Sequence, residues 1–158
     1  MPSKNRHGER MPAKHYPEFI LAPLNETERT LMADSYLSMY RKKLLPNQTR
    51  RITSHPICQS PHILHTLLNE LITFGSHEQL DQRIDFYLQS SDVPEFFTRV
   101  LHRYEEDYGH AVKQILSLIV FSHQGLREQE LEDIAKLTPL HWSHLRIIMV
   151  QATSLLSV

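Results

Sequence analysis

Apolar residues recur every three to four positions along most of the chain, a spacing typical of amphipathic helices. Candidate caps mark where several of these helices begin. Asn25 and Glu28 have the spacing of a capping box, and Pro61 suits the first turn of a helix, where no backbone N–H is needed. The pattern predicts helices over about residues 25–45, 47–53, 60–75, 76–88, 92–109, 110–122, 127–137 and 140–156.

These helices predict an all-α fold, since no run of alternating polar and apolar residues lies between them. Residues 1–18 are polar, contain three of the nine prolines and lack periodicity, so we expect a disordered leader there. A change of pattern near residues 90–92 divides the rest of the chain into a helical bundle over 19–91 and a second helical group over 92–158.

The apolar positions also predict which helix faces are buried. They are Leu31, Tyr36, Leu37, Tyr40 and Leu44 in the first helix, and Phe96, Phe97, Val100, Leu101 and Tyr104 in the fifth. The sixth helix is apolar on almost every side, which predicts a position at the centre of the molecule. Gly75, Gly109 and Gly125 follow predicted helices and are expected to end them.

Glycine is scarce, with four residues in 158, about 2.5% against an average of about 7%. No two of them lie within ten residues of each other, so neither of the common glycine-rich phosphate-binding motifs is present. The formal net charge of −1 argues against a general nucleic-acid binder, which needs clustered positive charge. The longest apolar run, residues 115–121, is too short to cross a bilayer, so we expect no membrane partner.

The single cysteine, Cys58, excludes an internal disulfide and favours a cytoplasmic location. It also belongs to the strongest candidate metal set, which consists of His55, Cys58, His62 and His65, four possible zinc ligands in eleven residues. Their spacing is not one of the common structural zinc patterns. Because 11 histidines are scattered along the chain, solvent-facing histidines are the favoured interpretation, and no cofactor is expected.

No catalytic set emerges from the residues. Cys58 lacks the helix N-terminus or glycine turn that would activate its thiol. The basic residues 41–43 and 50–51 could contact phosphate, but the usual cationic end of a helix is favoured. The acidic residues 105–107 indicate a solvated face. The helices after residue 110 have a helix-turn-helix order, but their acidic side chains would repel DNA phosphates.

Four segments in this order resemble the region that follows the nucleotide-binding core of STAND-type NTPases. They are LAPLNETERTLMADSYLSMYRKKL (21–44), SPHILHTLLNELITFGSHEQLDQRI (60–84), FFTRVLHRYEEDYG (96–109) and LSLIVFSHQGLREQELEDIAKLTPLHW (116–142). The resemblance is to the NACHT/tetratricopeptide-repeat group, including nephrocystin-like and telomerase-associated proteins, and to the tetratricopeptide repeat protein 41 group in particular. It implies a helical lid-like subdomain over 19–91 and a winged-helix-like subdomain, without its wing, over 92–158.

The resemblance also assigns candidate nucleotide contacts. It matches Pro61 to the lid proline whose surroundings touch the adenine, and Arg50 and Arg51 lie shortly before it. The family's phosphate loop would precede residue 19, where this chain has its polar leader, so we expect a truncated or pseudogene-like product. Without that loop nothing would hold the β- and γ-phosphates or Mg²⁺, and we expect no enzymatic activity from this chain.

The expected function is therefore that of a non-catalytic interaction or regulatory fragment of a STAND-type NTPase. Its partner would be another protein, or a second copy of the chain, bound through exposed apolar helix faces. Neither nucleic acid nor membrane is an expected partner. A residual ATP- or ADP-binding module at Pro61, Arg50 and Arg51 is the alternative, and a small zinc-binding module is the second alternative.

Overall fold

The computed structural model describes residues 22–74, 79–122, 124–136, 142, 143 and 146. The helices are α1 (Glu26–Met39), α2 (Pro46–Ser54), a short 3₁₀ helix (Pro56–Gln59), α3 (Pro61–Thr73), α4 (Leu80–Leu88), α5 (Val93–Tyr108), α6 (His110–Phe121) and α7 (Glu128–Ala135). This confirms the predicted all-α fold, and the described part of the chain contains no strand. The predicted leader 1–18, Gly75 and most of the last predicted helix lie outside the described residues.

Three predicted helix starts are confirmed in atomic detail. At α1 the Glu28 amide donates to Asn25 Oδ1 at 2.9 Å, and the Asn25 amide donates to Glu28 Oε2 at 2.8 Å, which completes a capping box. At α5 the Glu95 amide donates to Asp92 Oδ1 at 2.8 Å. Pro61 is the first residue of α3, as predicted. Local capping hydrogen bonds therefore fix where α1 and α5 begin.

The first helix ends earlier than its apolar pattern predicts. α1 stops at Met39 instead of about residue 45, because Arg41 adopts a left-handed conformation with φ of 54°. The amide of Lys42 then donates to the carbonyl of Leu37 at 3.0 Å, a closure that ends the helix. The chain continues to Pro46, which begins α2. The buried Leu44 therefore reaches the core from a connecting segment.

α3 lies at the centre of the described structure. It contacts α1, the 3₁₀ helix and α4, and it buries five aliphatic side chains: Ile63, Leu64, Leu67, Leu68 and Leu71. The same core includes Phe96, Val100 and Tyr104 from α5. Packing thus continues across residues 90–92, where the sequence pattern predicts a domain boundary.

α5 and α6 form an antiparallel hairpin joined at Gly109. The glycine has φ of 75°, in the left-handed region that side chains with a Cβ rarely adopt. The prediction of a centrally buried α6 is wrong: the helix buries Val112 and Ile115, while Val120 is 79% exposed and Phe121 is 82% exposed. Among the described elements, α6 packs mainly against α5 and α7, and Leu116, Leu118 and Ile119 are partly buried.

Three further boundary and burial predictions are corrected by the structure. α6 ends at Phe121, before Gly125, because the Ser122 amide caps the carbonyls of the last turn. The side chains of Leu31, Tyr40 and Leu101, predicted to face inward, are exposed. α7 is slightly shorter than predicted. Within the described residues, no helix combines the length and the apolar character needed to span a membrane.

Candidate functional site

A groove of about 500 Å³ runs between α5 and α6 on the exposed side of the hairpin. It is lined by Thr98, Leu101, His102, Glu105, Val112, Lys113, Leu116, Ser117, Val120 and Phe121. We call it the α5–α6 groove. The helix positions that form it are spaced three and four residues apart, so each helix contributes one continuous face. The apolar side chains that the groove leaves exposed are Leu101 on α5 and Val120 and Phe121 on α6.

The two ends of the α5–α6 groove differ in chemistry. Only Gly109 separates α5 from α6, so Glu105 and Lys113 each lie four residues from it, whereas Thr98 and Val120 each lie eleven residues from it. The end near the turn carries Glu105 and Lys113, whereas the far end carries Thr98, Val120 and Phe121. We call these the charged end and the apolar end.

The side chains beside the charged end form exposed ion pairs. His110 Nδ1 lies 2.9 Å from Glu105 Oε1, and His102 Nδ1 lies 3.4 Å from Glu106 Oε1. Such exposed pairs contribute little to stability, and these two require protonated histidines. The acidic residues 105–107 are thus divided between surface pairs and, for Asp107, a contact with a buried arginine described next.

A buried ion pair holds α5 against the central bundle. Arg103 donates to Glu70 through Nε and Nη2, both at 2.8 Å, and both side chains are almost fully buried. The Tyr87 hydroxyl donates to Glu70 Oε2 at 2.6 Å, and Arg103 Nη1 donates to Asp107 at 2.7 Å. Glu70, Tyr87 and Arg103 come from α3, α4 and α5, so one hydrogen-bonded group joins three helices.

The electrostatics of this group follow from burial and proximity. Burial disfavours the charged Arg103 guanidinium, but its hydrogen bonds with Glu70 and Asp107 outweigh that effect and raise its pKa. Burial, together with the adjacent Glu70 carboxylate, raises the pKa of Tyr87. The Tyr104 hydroxyl is buried nearby and has no hydrogen-bond partner among the described residues. The hydrogen bonds between Arg103 and Glu70 hold α5, and with it one wall of the α5–α6 groove, against α3.

Neither Glu70 nor Arg103 is among the site residues predicted from the sequence. A signal was nevertheless present, because each lies on the apolar stripe of its helix: Glu70 beside Leu67 and Leu71, and Arg103 beside Val100 and Tyr104. Opposite charges at core positions of two helices indicate that the helices pack together through that pair.

Each of the four predicted zinc ligands has different surroundings. His55 Nδ1 accepts from the Ile57 amide at 3.4 Å, and Cys58 is fully buried. The His62 ring packs on Phe97 and the His65 ring on Tyr36, with centroids 5.3 and 4.7 Å apart. In the part of the chain that the structure describes, no three His, Cys, Asp or Glu side chains come together as a metal site.

Cys58 is also shielded from reaction. Burial raises the pKa of its thiol to about 12, and the positive charge of the nearby Arg29 acts in the opposite direction. A thiol that stays protonated at neutral pH is a poor nucleophile.

Pro61 lines a second cleft of about 770 Å³ between α1, the 3₁₀ helix and the start of α3. We call it the α1–α3 cleft, and its lining also includes Met32, Ile57, His62 and His65. The two arginines predicted beside Pro61 are not on this lining. Arg50 is exposed. The guanidinium of Arg51 pairs with Asp81 at 2.7 Å and with Asp85.

The chain is similar in sequence to parts of two much longer known proteins. It is 29% identical over 136 residues to a TPR repeat-containing protein of Dictyostelium discoideum, a match that covers 82% of this chain and 8% of that protein. It is 29% identical over 146 residues to Tetratricopeptide repeat protein 41 of Rattus norvegicus, which covers 72% of this chain and 11% of that protein. No protein-family model and no solved structure matches the chain. The chain thus spans about a tenth of the length of the curated relatives it matches, and it is similar to a helical segment of proteins named for tetratricopeptide repeats.

Proposed function

We propose that this chain is a non-catalytic helical module of a larger protein with tetratricopeptide repeats, and that it makes protein–protein contacts through the α5–α6 groove. The similarity to two proteins named for such repeats supports the first half of this proposal. Tetratricopeptide repeats are stacked helical units that commonly offer surfaces to other proteins.

The observation that carries the proposal is the exposure of the groove's apolar end. Val120 and Phe121 leave about four-fifths of their surface in water, and Leu101 is 44% exposed. Large apolar side chains grouped in one groove mark an interaction surface more often than scattered ones do. The Glu70–Arg103 pair holds α5 in place, so the groove is preformed and a partner would not have to order it.

The matched segment is best understood as a region beside the repeats. A tetratricopeptide repeat has a period of about 34 residues built from paired helices, whereas helices α1 to α7 range from 8 to 16 residues with unequal connections. Helix lengths and order support a lid-like bundle followed by a winged-helix-like group. In the second group Trp142 Nε1 donates to Glu128 Oε1 at 3.1 Å, which ties the segment after α7 back to that helix. We infer that such a region links a STAND-type core to the repeats.

Site-specific photo-crosslinking in cells tests the interaction proposal. The photoreactive Phe121→benzoylphenylalanine variant should form discrete protein adducts, whereas the same replacement at Leu31, which is 62% exposed on α1, should form none. Adducts would be identified by mass spectrometry, and Val120→Asp in the same chain should abolish them. Equal crosslinking from both positions, or none from position 121, would contradict the proposal.

A second candidate function is nucleotide binding in the α1–α3 cleft, which the position of Pro61 on its lining favours. Titration calorimetry with ATP and with ADP tests it. Binding that His62→Ala on the cleft lining weakens, while Thr98→Ala in the other groove does not, would support a nucleotide site. An absence of heat at millimolar nucleotide would remove this candidate and leave the interaction module.

A further inference from the structure

We propose that Phe19, Ile20 and Leu21, the residues directly before the first described residue, cover the α1–α3 cleft of their own chain. We call these three residues the entry segment. The inference goes beyond the proposed interaction function, because it concerns a different surface and does not depend on the α5–α6 groove. It begins from the apolar surface that the cleft exposes, where Val93 leaves 46% of its surface in water.

The chain enters the described structure along this cleft. Ala22 and Pro23, the two residues that follow the entry segment, form part of the cleft lining. The amide of Leu24 donates to the carbonyl of Gln59 at 2.9 Å, which attaches the chain to the 3₁₀ helix beside the cleft. The Leu24 side chain packs against the core. The entry segment is therefore covalently joined to a residue of the cleft wall, and that residue is held in place.

Reach favours the entry segment over other occupants. A fully extended chain spans at most about 3.6 Å per residue, so the Cα of Phe19 lies within about 11 Å of the Cα of Ala22. All three side chains are thus within reach of the cleft. An outside partner would have to compete with a tethered segment, whose effective concentration is in the millimolar range for a short connection. The same argument disfavours a second copy or a distant part of a longer chain.

The chemistry of the two surfaces matches as well. The cleft lining contains no Asp, Glu, Lys or Arg, and it includes Met32, Ile57 and Val93. The entry segment is the one run of three large apolar residues among the first 30 residues. Its contact with the cleft would remove apolar surface from water on both sides. A cleft of about 770 Å³ is in the size range that holds a drug-sized ligand, so it has room for these side chains.

Photo-crosslinking of the purified chain tests the contact directly. A photoreactive Phe19→benzoylphenylalanine variant inserts into nearby C–H bonds on illumination. We expect the main product to be an internal adduct with peptides from the cleft lining, such as those that carry Met32 or Val93. The same replacement at Met11, an apolar residue eight positions earlier, is the matched control and should give these adducts in several-fold lower yield.

A mixture of unlabelled and isotope-labelled chains identifies the occupant. Adducts formed within one chain contain one isotope only, as we expect. Adducts that combine both isotopes would assign the cleft to a second copy and overturn the inference. Equal yields from positions 11 and 19, or adducts outside the cleft lining, would also overturn it. The proposed function is judged separately, because it depends on crosslinking from position 121 in the α5–α6 groove.

The imidazole NMR signals provide a second measurement. His62 and His65 line the α1–α3 cleft, whereas His102 lines the α5–α6 groove and serves as the internal control. The double variant Phe19→Ser with Leu21→Ser should shift the signals of His62 and His65 and leave that of His102 in place, and circular dichroism verifies that the variant is folded. Unchanged signals from both cleft histidines would overturn the inference.

ATP is the remaining occupant to distinguish, because the same cleft is the candidate nucleotide site. A covered cleft should be harder to enter, so any shift that ATP causes in the cleft histidines should reach half of its maximum at a lower ATP concentration in the double variant. An equal ATP response in the original chain and in the double variant would show that the entry segment does not cover the cleft.

Discussion

α3 and α6 are helices of nearly equal length, with 13 and 12 residues, and both are rich in aliphatic side chains, yet only α3 is central. α3 is surrounded by α1, the 3₁₀ helix and α4, and its Glu70 pairs with Arg103 of α5. Among the described elements, α5 and α7 are the ones that pack closely against α6. The difference shows that apolar content sets how much surface a helix is able to bury, whereas its neighbours decide how much it does bury.

The largest effect is expected where α3 meets α5. Arg103→Met leaves the Glu70 carboxylate buried without its partner, and we expect a loss of about 3–5 kcal/mol in the free energy of unfolding. Urea denaturation followed by circular dichroism measures it. The double variant Glu70→Met with Arg103→Met should recover about half of the loss or more, because it removes both charges. A single variant as stable as the original would show that the pair does not hold the helices together.

A matched pair of truncations tests the comparison between the two helices directly. Leu67→Ala in α3 should cost about 3 kcal/mol, because it opens a cavity in the core around a fully buried side chain. Val120→Ala in α6 should change the free energy of unfolding by less than about 0.5 kcal/mol in the monomer. Thermal unfolding at low protein concentration distinguishes these outcomes, and a similar cost at both positions would place α6 in the core.

The start of α5 should show a smaller effect. Asp92→Ala removes the acceptor for the Glu95 amide, and N-cap losses of this kind cost about 1 kcal/mol. Amide hydrogen exchange should then speed up in the first turn of α5 and leave α3 unchanged. Asp92→Asn, which retains an acceptor oxygen, is the control and should behave like the original. Uniformly faster exchange across α3 would show that the two regions open together.

The smallest effect concerns pH. Burial lowers the pKa of His55 and of His65 from the usual 6.5, and for His65 the neighbouring His62 adds to this. Below pH 6.5 the unfolded chain binds these protons more readily than the folded chain, so stability falls as the pH decreases and is regained toward neutral pH. His65→Gln should flatten part of that slope in urea titrations between about pH 5 and 7. A slope identical to that of the original chain would exclude His65 as a contributor.

Much of the fold follows from local rules that the sequence carries. Asn25 with Glu28, Asp92 and Pro61 place three helix starts correctly, because capping depends on residues within one turn. The sequence does not predict the end of α1, since Arg41 adopts a left-handed conformation that is usually found at glycine. The exposure of Phe121 does not follow either, because periodicity describes a helix face and not the neighbour that covers it.

The candidate site is less predictable for the same reason. Exposed apolar helix faces are expected from the sequence as a means of association, but their location on α5 and α6 depends on tertiary packing. Pro61, Arg50 and Arg51 show that residues close in the sequence need not share a site. Pro61 lines a cleft, and Arg51 instead binds Asp81 some thirty residues further along the chain.

The buried pair between Glu70 and Arg103 also bears on how such a module could be transferred between proteins. Its two members lie on opposite sides of residues 90–92, so a gene fusion or an exon that carried only one side would strand an unpaired charge in an apolar interior. Glu70 of α3 and Arg103 of α5 therefore have to be transferred together if neither charge is to be buried alone.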